Sequence, residues 1–156
     1  RVSFAATCEG WAEDLTTHVP ELTTAVVHLY APWSPELFQA RVGEFHLAVF
    51  PEGEPETSRP LIAGTPPADE IETLYQVNVW QGAVAADARL VEDPDADRAW
   101  LQLYEAVRAR LYVVANANVG GELNAYTRYA GGRLFTQNSC RAMVLGFRVR
   151  WSLSFV

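Results

Sequence analysis

Three histidines, two cysteines and two sets of alternating acids are the residues of this chain best suited to chemistry. His18, His28 and His46 are types that ligate metals or move protons. No HxxxH or CxxC spacing joins them, and a metal site needs three or four converging ligands. If His28 and His46 lie on the polar faces of neighbouring strands they come close, yet a third ligand is missing. Cys8 falls on the apolar stripe of a helix, the setting of a core thiol. Cys140 stands beside Arg141, whose charge favours a thiolate, but no histidine is near in sequence to act as a base. Two cysteines at opposite ends of the chain, without regular spacing, read as reduced thiols. There is no GxSxG. Gly120-Gly121 follows a helix where a phosphate loop would precede one, and the chain has no lysine for such a loop. Glu52, Glu54 and Glu56 sit in a proline-rich loop, and Asp93, Asp95 and Asp97 at a helix start; each place explains its acids without catalysis. These patterns predict no catalytic centre, no cofactor and no metal.

The elements that would position any site are legible from periodicity. Phe4, Cys8, Trp11, Ala12 and Leu15 form one stripe of a helix over Ser3–His18, with Ser3 as N-cap and Pro20 as its stop. Thr23–Tyr30 is rich in β-branched residues and reads as a strand. Glu36–Val42 reads as a short helix, and Glu44–Phe50 as a strand with Phe45, Leu47 and Val49 on one face and His46, Ala48 and Phe50 on the other. Pro51–Asp69 then holds five prolines and two glycines in nineteen residues, which predicts a long exposed loop. Ile71–Gln81 alternates as a strand with Trp80 and Glu72 on its polar face. Asp93 and Pro94 open a helix whose buried stripe is Trp100, Leu103, Tyr104, Val107 and Leu111, ended by Gly120-Gly121. Leu123–Tyr129 and Arg133–Thr136 read as strands joined by a hairpin turn at Gly131-Gly132. Val144–Phe155 alternates cleanly, Phe147, Val149, Trp151 and Leu153 facing one way, Arg148 and Arg150 the other. The sum is one α+β domain over 1–156, a mainly antiparallel or mixed β-sheet with two helices packed on one face. Val27 and Leu29 belong to the expected core, with the inward residues of the other strands.

Composition sets the class of function. Five Trp, six Tyr and seven Phe describe a chain with a real core. A formal charge of −7 opposes the basic footprint of tight nucleic-acid binding. All twelve basic residues are arginine, the residue suited to planar, bidentate contacts at protein interfaces. No stretch nears the roughly 18 apolar residues of a membrane span, and Glu9, Glu13 and Asp14 interrupt the N-terminal apolar run, so neither a signal peptide nor a membrane partner is expected. The surface is where function is expected: Trp80, Trp33 in a Pro-flanked turn, Arg148 and Arg150 as a pair, and Glu52, Glu54, Glu56 and Glu72 as acids to meet them.

An amphipathic helix before TTAVVHLY, the aromatic strand ETLYQVNVWQG, the helix DPDADRAWLQLYEAVRARLY and a closing strand ending VRWSLSFV together resemble the tail terminator proteins of long-tailed phages. The resemblance covers most of the chain in element order and texture and carries no residue-level motif. It implies a non-catalytic virion protein, assembled in the host cytoplasm, whose copies form a ring, a hexamer in that family. The ring would cap the tail tube and receive the head connector or stopper protein, with DNA passing through its lumen. Other neck proteins, such as a stopper or tail-completion factor, share this texture. A small-ligand-binding or enzymatic α+β domain is the alternative from a different class, opposed by core faces filled with Leu, Val, Phe and Trp.

Overall fold

A computed structural model describes residues 4–29, 41, 43–53, 68–82, 94–112, 126–137 and 140–154. Its elements are α1 (Phe4–His18), a 3₁₀ turn (Pro20–Leu22), β1 (Val26–His28), β2 (Phe45–Gly53), β3 (Ala68–Gly82), α2 (Pro94–Tyr112), β4 (Tyr126–Gln137) and β5 (Cys140–Ser154). The strands form one sheet in the order β1-β2-β3-β5-β4. β1 runs parallel to β2, and the other neighbours are antiparallel. The fold is therefore α+β with a mixed sheet, as the patterning predicts.

Both helices lie on one face of the sheet because each has a single apolar stripe to bury. Cys8, Trp11, Ala12 and Leu15 of α1 and Trp100, Leu103, Val107 and Leu111 of α2 join Leu47, Val49, Tyr75, Val77, Val79, Met143, Leu145, Phe147 and Val149 in one buried cluster. Trp11 packs on Phe147 with ring centroids 5.1 Å apart, and Tyr75 stacks on Phe147 at 5.0 Å. The helix-to-sheet space is thus filled by side chains. α1 covers β2, and α2 covers β4 and β5. Where the helices come together, Arg110 Nε and Nη2 donate to Asp14 Oδ2 and Oδ1 at 3.0 and 2.5 Å.

Three expectations change. Val27 and Leu29 are not core: they are 43% and 39% exposed. Val27 does face the helix side, being in register with Leu47, but β1 is the outermost strand, beyond β2, on which α1 packs. Gly131-Gly132 is not a hairpin turn. It is an irregularity within one continuous strand, where the β4–β5 register shifts between Tyr129 and Gly132; Gly131 has φ +101°, a left-handed value that only glycine adopts without strain and that serves bulges as well as turns. A Cβ on Gly132 would stand 2.5 Å from the Tyr104 hydroxyl, so this glycine is where α2 approaches the strand. Finally, β2 continues through Gly53 and β3 starts at Ala68, so both ends of the expected 51–69 loop are strand. Residues 54–67, most of the Glu36–Val42 segment, Ser3, Asp93 and the Gly120-Gly121 stop lie outside the described residues.

Candidate functional site

The sheet face turned away from the helices carries the polar residues that the sequence pattern singles out. Register sets them in rows: His46, Trp80, Ala142 and Phe135 across β2, β3, β5 and β4, and further along, Leu74, Arg148 and Arg128 across β3, β5 and β4. The first end is apolar and closed. Ala48, Phe50, Trp80, Cys140 and Ala142 form a second buried cluster with Phe135 against it. Trp80 does point away from the helices, as its parity requires. It is nevertheless only 2% exposed, which corrects the expectation of an exposed indole: a wide aromatic beside small alanines is enclosed by its neighbours.

Against this Trp80 ring lies a pair of histidines with a carboxylate beside it. His28 Nε2 and His46 Nδ1 are 3.0 Å apart, and His46 Nε2 is 2.5 Å from Glu44 Oε1. The imidazole centroids are 5.3 Å apart with planes 5° from parallel. The nitrogen-to-nitrogen distance plus the two ring radii accounts for that separation, so the rings lie edge to edge in one plane. The indole stacks against both, at 5.1 Å from His46 and 5.6 Å from His28. With the Glu44 carboxylate accepting from His46 Nε2–H, His46 Nδ1 is left to share one proton with His28 Nε2. A second proton would break that bond. Burial and the neighbouring His46 lower the pKa of His28, and the bond from His46 keeps Glu44 below the usual carboxylate range. No group of three or more His, Cys, Asp or Glu among the described residues could hold a metal ion. Glu44 lies on the outer side of His46, away from the nitrogen facing His28, so the three groups make a proton chain and not a ligand cage.

The other end of the face is charged. Arg148 is exposed and in register with Arg128, also exposed. Arg150 is in register with Glu72 of the same chain. Glu52 sits on β2 beside Gly53, which pairs with Leu74, the register partner of Arg148. The structure therefore brings Glu52, Glu72, Arg148 and Arg150 to one end of one sheet. Trp33, Glu54 and Glu56 lie outside the described residues. Two participants were missed in sequence. Arg128 had a signal in the alternation of its strand, and Glu44 had one in its spacing of two from His46, which puts both on one strand face.

No protein-family model matches this sequence, and no curated protein matches it. Its fold does have a counterpart among solved structures. The whole chain (99%) superposes with TM-score 0.59 and 13% identity on the sheath/tube terminator of an extracellular contractile injection system, PVC, in its extended state. The chain shares the fold of a sheath/tube terminator. The chain spans 57% of that protein's length.

Proposed function

We propose that this chain is a structural component of a phage tail or related tail-like particle, acting as a terminator that caps the tail tube as a ring of identical copies, six in the family it resembles. The observation that carries this reading is the superposition of nearly the entire chain on a sheath/tube terminator. The filled helix-to-sheet interface supports it by leaving that layer to packing. The ring's other partner would be the head connector or stopper, DNA would cross the lumen without specific contacts, and the protein would reside in the particle after assembly in the host. It would do no catalysis.

On this reading the face opposite the helices offers the Arg148 and Arg150 positions to an acidic partner, while Trp80, already enclosed, serves the monomer. The test is tube growth. Purified tail-tube protein polymerised with increasing amounts of this chain should give shorter tubes bearing a density at one end by electron microscopy. Unchanged tube lengths and bare ends would overturn the proposal.

A further inference from the structure

The charges of this chain are sorted across its sheet. Among the described residues from 4 to 53, six acids (Glu9, Glu13, Asp14, Glu21, Glu44 and Glu52) stand against a single arginine, Arg41, and five of them remain once Asp14, bridged to Arg110 of α2, is set aside. In α2, β4 and β5 the balance reverses, with eight arginines against three acids. Because β1 is one border of the sheet and β4 the other, with α1 over β2 and α2 over β4, the molecule has an acidic edge and a basic edge.

Both edges also expose apolar side chains. Val26 and Val27 on β1 are 42% and 43% exposed, and Leu134 on β4 is 40% exposed. Flanking them are exposed Glu21 on one side, and exposed Arg128 and Arg133 on the other. β1 is three residues long, which itself limits pairing at a sheet border, but it carries neither the lysine, the proline nor the bulge that also guard such borders. A surface that is apolar at its centre and charged at its rim is the usual anatomy of a protein interface.

We infer that the chain assembles head to tail through its sheet borders, the acidic β1 edge of one copy against the basic β4 edge of the next. This rests on the ring reading above and names the surfaces that would build the ring. A ring needs two different patches that complement each other, and opposite borders of one sheet with opposite charge supply them. Like edges would repel, so charge selects the head-to-tail arrangement over a two-fold dimer.

Two variants test it: Val27→Arg, which places a cation on the acidic edge, and Arg128→Glu with Arg133→Glu, which reverses the basic edge. All these residues are exposed, so circular dichroism and thermal melting should match the unaltered protein. Mass photometry should show rings for the unaltered protein and monomers for each variant alone. Mixed in equal amounts, the two variants should give a dimer and nothing larger, since each keeps one intact edge. Rings from either variant, or no dimer in the mixture while the unaltered protein forms rings, would overturn the edge assignment alone. An unaltered protein that stays monomeric at every concentration, with and without tube protein, would instead overturn the ring reading, and the edge assignment with it.

Discussion

Arg110 grips Asp14 with two nitrogens across 96 residues of sequence, tying the last turn of α2 to α1. The Asp14 side chain is 10% exposed and Arg110 28%, so the pair is shielded enough to matter more than an ordinary surface bridge. Arg110→Met should lower stability by about 1.5–3 kcal/mol, and Arg110→Lys should recover little, because a single ammonium cannot reproduce the planar fork. Urea unfolding followed by Trp fluorescence reads both. Full stability in the lysine variant would show that charge alone matters here.

Stability should fall on mild acidification. The pKa of His28 is lowered in the folded protein by burial and by His46, so the unfolded chain binds more protons as pH drops. The stabilisation is therefore complete above the usual histidine value near 6.5 and is lost as pH falls through the lower folded value. Glu44, also lowered, adds the same sign below about pH 4.5. Melting temperatures taken between pH 7.5 and 5 should decline, and His28→Gln should flatten the upper part of that decline. An unchanged slope in the variant would remove His28 as the cause.

Thr73 should be improvable. Its hydroxyl is buried on the helix side of β3 without a hydrogen-bond partner among the described residues, in register with Val149. Thr73→Val keeps the β-branched shape and removes an unsatisfied polar group. A gain of about 1 kcal/mol is expected in the denaturation midpoint. A loss of similar size would mean that the hydroxyl is satisfied in solution.

Neither cysteine should react in the native protein. Cys8 and Cys140 are both buried and outside any disulfide, and burial, with Glu9 adding to it, pushes the Cys8 thiol up to about 11. At Cys8 the thiolate needed for attack is therefore scarce at neutral pH as well as shielded, and Cys140 is shielded by burial. A thiol reagent at pH 8 should label each only as fast as the protein opens. Rapid labelling of Cys140 with the fold intact would revive an enzymatic reading.

Local sequence determined the elements and the face each residue takes. Trp11, Leu15, Leu47, Val49, Val77, Val79, Leu103, Val107 and Phe147 fall on predicted stripes and are buried, because a period of 3.6 or 2 is fixed by backbone geometry within each element. Even where burial was misjudged, parity held: Val27 does face the helix side and Trp80 the opposite side. What the tertiary structure decided is what stands over each face. Burial depends on neighbours distant in sequence, so only the sheet order leaves Val27 uncovered at a border and encloses Trp80. Strand register likewise belongs to pairs of segments, and it alone sets Glu72 opposite Arg150 and His28 within a hydrogen bond of His46. Gly131 shows the limit most simply. Two glycines permit a turn or a bulge equally well by their own conformational freedom, and pairing with β5 on both sides of them is what makes the bulge.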